Sequence, residues 1–167
     1  MILTAFKTMD EIRLGHIFAW PQTLDWSAWS TAWGNACSGQ ECQGVAFGFW
    51  NSIKIAVPST IISVLFGAFN GYALSFWRAP GSKLLFGIII LAGFIPLQVF
   101  IYPMVRALAL LGLYGSLPGI VVVHVVFSVP LVTLLFRNYY AAIPLELFKA
   151  ARVDGAGFWR IFTTIML

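Results

Sequence analysis

Charge is what this sequence has least of. Of 167 residues, ten are Lys or Arg and six are Asp or Glu, 10% of the chain. A soluble domain carries about 25% charged residues, so this chain cannot clothe a globular surface. Hydrophobic residues make up 60% and the mean hydropathy is +0.88, which is the composition of a membrane protein. Histidine and cysteine number two each. His16 and His124 are far apart, and no histidine lies near Cys37 and Cys42. Neither a zinc site nor a nucleophile–base constellation can be assembled from them, so no catalytic residue and no metal ligand is expected. No Gly-Lys-Ser/Thr phosphate loop exists; Gly81-Ser82-Lys83 has the wrong order and spacing. Any ATP chemistry belongs to another chain. The start lacks a basic segment, apolar core and cleavage site, so no secretory signal is expected. A net charge of +4 is too sparse to attract nucleic acid.

What is there is organised by apolar runs. Residues 1–51 stand apart, with Asp10, Glu11, Arg13, Trp20-Pro21 and a Trp-rich stretch. Trp26, Trp29 and Trp33 share one face of a short helix if Thr23 or Asp25 caps it. Tryptophan favours the headgroup layer, so this helix either lies on the membrane surface or packs its rings on another part of the protein. Cys37-Ser38-Gly39-Gln40-Glu41-Cys42 is a polar loop whose thiols either pair locally, if the loop is outside the cytoplasm, or stay free.

An uncharged run from Ile55 to Trp77 can cross ~30 Å of hydrocarbon at about 1.5 Å per residue. Pro58 falls in its first turns, and Gly67, Ala68, Gly71 and Ala73 allow close helix packing. Spans are placed at about 52–77, 84–105 (interrupted by Pro96 and Pro103) and 117–136, with a further one starting near 161. Gly112, Gly115, Pro118 and Gly119 mark the turn before the third. The polar residues within the spans are Asn70, Gln98, His124, Ser128 and Thr133. Each either lines a path across the membrane or bonds a neighbouring helix; Gln98, His124 and Asn70 are the candidates for a path. No acidic residue, lysine or arginine lies at membrane depth in the spans to couple transport to an ion, which weighs against a secondary transporter. A scaffold that transports nothing is the remaining alternative.

Basic residues orient the chain. Arg78 and Lys83 lie in one short loop, and Arg137, Lys149, Arg152 and Arg160 lie in another on the same side. That side is cytoplasmic, which puts residues 1–51 and the cysteine pair outside. In the second loop, Pro144 suits a first helical position, Glu146 the positive end of the helix dipole and Lys149 and Arg152 its negative end. Gly155 suits a left-handed stop. The expected helix, about 144–155, has an apolar face of Leu147, Phe148 and Ala151. It either rests on the headgroups as a linker or docks in a partner's groove.

Lys149-Ala150-Ala151, Gly155, Ile165 and Leu167 reproduce the spacing of the E-A-A loop of bacterial ABC importer permeases. The run Ala150-Ala151-Arg152-Val153-Asp154-Gly155-Ala156 resembles the carbohydrate-uptake branch. Thr4-Ala5-Phe6-Lys7-Thr8, Phe94-Ile95-Pro96-Leu97-Gln98-Val99 and Leu111-Gly112-Leu113 resemble further family segments. The cysteine pair and the Lys-Ala-Ala variant look most like permeases for glucose or related monosaccharides. The resemblance implies an all-α, polytopic transmembrane bundle in a bacterial inner membrane, here truncated at both ends, with residues 1–51 following a missing first span. It implies a second permease subunit, two cytoplasmic ATP-binding subunits that carry the ATP and magnesium, a periplasmic sugar-binding protein, and lipid around the spans. It makes Glu146, Lys149, Ala150, Ala151, Arg152, Asp154, Gly155 and Ala156 the contact with the ATPase. One departure stands out: Lys149 occupies the position where the family has glutamate.

Overall fold

The computed structural model of the chain describes residues 2–16, 18–37, 42–76 and 80–166. Trp77 and Arg78, the loop residues Ser38 to Glu41, and Leu167 at the end of the E-A-A-type pattern lie outside the described residues. Among the described residues there are helices and turns and no strand. The chain divides into two compact units, Met1–Lys54 and Ile55–Leu167.

The first unit holds a short 3-10 turn, Leu3–Phe6, and two short helices, α1 (Met9–Arg13) and α2 (Ser27–Gly34). The first turns of α3 (Gly44–Phe76) complete it. Thr8 caps α1, with Asp10 and Glu11 in the first turn and Arg13 in the last, an arrangement that suits the helix dipole. The aliphatic stem of Lys7 is buried and its Nζ donates to the His16 carbonyl. Asp25, not Thr23, orders the start of α2. Its Oδ1 accepts from the Ser27 amide and its Oδ2 from the Ser27 hydroxyl, each at 2.8 Å. These bonds favour the charged carboxylate and hold its pKa below the ordinary value of 3.8. The tryptophan rings find partners within the unit. Phe6 packs on Trp26 at 5.0 Å and Trp29 at 5.8 Å, and Phe49 packs on Trp33 at 5.3 Å.

In the second unit, α3 continues to Phe76 and is followed by α4 (Ser82–Phe94), α5 (Leu97–Leu110) and α6 (Leu117–Ala142). After them come α7 (Leu145–Val153), α8 (Phe158–Ile161) and a π-turn, Phe162–Met166. Helices α3 and α6 are long and apolar enough to cross a membrane. Three boundaries differ from expectation. The first long helix begins at Gly44, not near 52, so Pro58 lies in its interior. There it removes a bond to the Lys54 carbonyl. The stretch expected as one span over 84–105 is two helices bent by 101°. Pro96 forces Ile95 into an extended conformation (ψ 129°), while Pro103 stays inside α5. The third long helix runs past 136 to Ala142.

Register follows from close contacts. A Cβ on Gly67 would collide with Val132, and one on Gly71 would lie 2.7 Å from Phe136 Cβ. Residue numbers rise together along both helices, so α3 and α6 pack in parallel, backbone close to backbone, as small residues four apart permit. Gly93 approaches Pro130, and the Arg137 guanidinium sits 4.2 Å over the Phe86 ring. These numbers run in opposite senses, so α4 is antiparallel to α6. The C-terminal ends of α3 and α6 and the start of α4 therefore share one end of the bundle.

Candidate functional site

That shared end carries α7. The Ile143-Pro144 pair is extended (ψ 129° at both), which stops α6 and starts α7. Pro144 precedes the helix as its cap, one residue earlier than expected. At the other end Gly155 takes φ +79°. Its amide donates to the Arg152 carbonyl at 3.2 Å and the Ala156 amide to the Ala151 carbonyl at 2.9 Å. This is a Schellman stop, and the two alanines that accompany it pack into the same core.

The inner face of α7 rests on an aromatic hub that sequence reasoning missed. Phe148 stacks on Phe76 of α3, rings 4.6 Å apart and 7° from parallel. Ala151 is 7% exposed. Beneath them lie Tyr72 and Tyr140, both fully enclosed. Tyr72 packs on Tyr140 at 5.9 Å and Phe158 at 4.6 Å, and its hydroxyl donates to the Phe158 carbonyl at 3.0 Å. Phe69 stacks on Trp159 at 5.3 Å. One hub thus joins α3, α6, α7 and α8. A signal existed: Phe69, Tyr72 and Phe76 recur at i, i+3 and i+7, as do Phe136 and Tyr140 at i and i+4.

The outer face is open. Glu146, Lys149, Ala150, Arg152, Asp154 and Gly155 are exposed, and Val153 is 87% exposed. Leu147, expected to share one apolar face with Phe148 and Ala151, is exposed as well. Arg152 borders a cleft of about 460 Å³ lined by Phe69, Phe76, Phe148, Phe158 and Trp159.

The family model described as the binding-protein-dependent transport system inner membrane component matches residues 63–167, which include the whole hub and α7. The chain belongs to this inner-membrane component family. Among curated relatives of this family member, the osmoprotective compounds uptake permease GgtD of Synechocystis is 39% identical over 74% of the chain. The alpha-glucoside transport system permease AglG of Rhizobium meliloti is 36% identical over 74%. The diacetylchitobiose uptake system permease NgcG of Streptomyces coelicolor is 28% identical over the full chain. The chain spans 42%, 34% and 53% of these proteins' lengths.

The three path candidates of this family member are not gathered into one site. Gln98 is exposed on α5, and His124 is exposed in the first half of α6. Asn70 is half-buried on α3, lining a crevice of about 330 Å³ with Ala73, Leu74, Leu85 and Ile89. In the α3–α6 register His124 is level with Ser59, so it lies about 16 Å along the axis from Asn70 at ~1.5 Å per residue. Thr133 is fully buried between helices. Cys37 and Cys42 are joined by a disulfide. No cluster of three or more potential metal ligands occurs among the described residues.

Proposed function

We propose that this chain is the transmembrane permease part of an ATP-driven sugar importer, with α7 as the helix that couples it to a cytoplasmic ATPase. The observation that carries the reading is the two-sidedness of α7. Its inner face is locked to the ends of α3 and α6 through Phe148, Ala151 and Tyr72. Its outer face, with Glu146, Leu147, Lys149, Ala150 and Val153, is free to enter a groove. A load taken on the outer face passes as a rigid-body displacement, because a packed hub shifts between discrete arrangements rather than deforming.

The sugar assignment rests on the relatives' names, which speak of alpha-glucoside, diacetylchitobiose, glucose and trehalose. The partners belong to the same reading: a second permease, two ATP-binding subunits with their ATP and magnesium, and a sugar-binding protein outside. So does a multi-pass place in the inner (plasma) membrane, with the disulfide-closed loop on the oxidising side. Lys149 would meet the ATPase with a positive charge.

Gly155→Val and Asp154→Lys, made in the full-length subunit of the assembled transporter, test the coupling role. Valine cannot adopt the left-handed stop without strain. Uptake should be lost while the binding protein still captures sugar. Wild-type uptake by both variants would refute the reading.

A further inference from the structure

The first unit carries an aromatic plate that its own packing leaves half uncovered. Trp26 and Trp29 each contact Phe6, and Trp33 and Trp50 each contact Phe49, yet Trp26, Trp29, Trp33, Phe49 and Trp50 each keep between 44% and 61% of their surface exposed. The i, i+3, i+7 spacing puts the three tryptophans on one face, and exposed large rings gathered on one face call for a second cover.

The position of the plate along α3 says which. This helix has 33 residues, so it is about 50 Å long against a hydrocarbon core of ~30 Å. The uncharged run begins at Ile55, after Lys54. The excess is the stretch before it, and that stretch bears Phe49 and Trp50. Trp33 of α2 is held against Phe49, and the Cys37–Cys42 disulfide closes the connection between α2 and α3. Phe49 and Trp50 thus lie on α3 within a few residues before its uncharged run, where a span's indole rings partition. Charge does not draw the plate to an acidic surface: Lys7, Arg13 and Lys54 stand against Asp10, Glu11, Asp25 and Glu41 in this unit.

We infer that α2 and the first turns of α3 form an interfacial foot whose indole face is covered by the headgroup and glycerol layer of phospholipid, without preference for anionic lipid. The inference needs α3 to span the membrane and is independent of what α7 grips. On the opposite face of α2, Ala28 and Thr31 border a crevice shared with Thr4 and Lys7, so the two faces of the helix meet different surroundings.

Spin labels distinguish those surroundings. The native cysteines stay paired, so a single new cysteine can be labelled in the assembled full-length transporter in phosphatidylcholine vesicles. Labels at Trp29→Cys and at Ser30→Cys, which keeps every ring, are compared with one at Thr31→Cys. Oxygen collisions relative to those with a water-soluble nickel chelate should be at least about threefold higher at 29 than at 31, with 30 between them, as interfacial burial of one face requires. Replacing part of the lipid with phosphatidylglycerol should leave the ratio unchanged. Equal ratios at 29 and 31 would overturn the inference in favour of a plate in water. Exclusion of both collision partners at 29 would overturn it in favour of a protein cover, and a ratio that rises only with phosphatidylglycerol would overturn the neutral-lipid assignment.

Discussion

Helices α2 and α7 are both short, both adjoin membrane-crossing helices, and are held in opposite ways. α7 has a proline start, a Schellman stop and an inner face stacked on a buried hub. α2 has one carboxylate ordering its start, no buried residue, and three tryptophans that lean on Phe6 and Phe49 with half their surface left over. A helix that transmits displacement must be rigidly joined to what it moves. A helix that rests on a soft, fluid surface needs only a favourable face. Under the two proposals above, the contrast separates a mechanical element from an anchoring one, although propensity alone would rank the two helices alike.

The comparison predicts where damage spreads. Gly71→Leu should act most strongly, because its Cβ would lie 2.7 Å from Phe136 Cβ and 2.8 Å from the Arg137 backbone nitrogen. Backbone cannot step aside cheaply, so a loss near the upper end of the ~1–3 kcal/mol of overpacking is expected. Thermal unfolding of the purified full-length transporter checks it, and a melting temperature equal to wild type would break the assignment of α3 and α6 as the close-packed pair. Phe148→Ala removes a half-buried ring, worth about 2 kcal/mol by comparison with full Phe truncation. Amide exchange across 145–153 should then rise with no change across 27–34. Exchange rising equally in both would mean that the two helices are not independent.

Replacing both Cys37 and Cys42 by serine is the mirror experiment. For a sequence separation of 5, loop entropy gives the bond about 2 kcal/mol in its own unit. Exchange should rise across 27–34 and stay unchanged across 145–153. The smallest effect belongs to pH. The folded-state pKa of Asp25 is depressed by its bonds from Ser27, so its contribution is present above the ordinary 3.8 and is lost as pH falls through the depressed value. Exchange in α2, corrected for its intrinsic pH dependence, should increase only in that acidic window, and Asp25→Asn should abolish the dependence.

Much of the frame was legible in the residues. The long uncharged runs, the glycines four apart at 67 and 71, and the punctuation of 143–156 by Pro144 and Gly155 each state a local rule that tertiary structure had no reason to override. The break at Pro96 was less legible. Pro96 and Pro103 carry the same chemistry, and only the first ends a helix, since the outcome depends on what re-satisfies the freed carbonyls. Leu147 parts from Phe148 and Ala151 for a related reason: a nine-residue helix offers too few turns for periodicity to decide which apolar residues become buried. The disulfide was one of two readings of a spacing that cannot say whether thiols pair.

By itself the sequence determined the membrane class and the start and stop of α7, because composition and capping are local or additive. Only the tertiary structure decided that Tyr72, Phe76, Tyr140, Phe148 and Phe158 meet in one hub, that α3 and α6 run in parallel, and that Gln98, His124 and Asn70 stay apart. Those are long-range facts. They follow from which helix faces are brought together, and a linear pattern of apolar residues permits many such pairings until shape complementarity selects one.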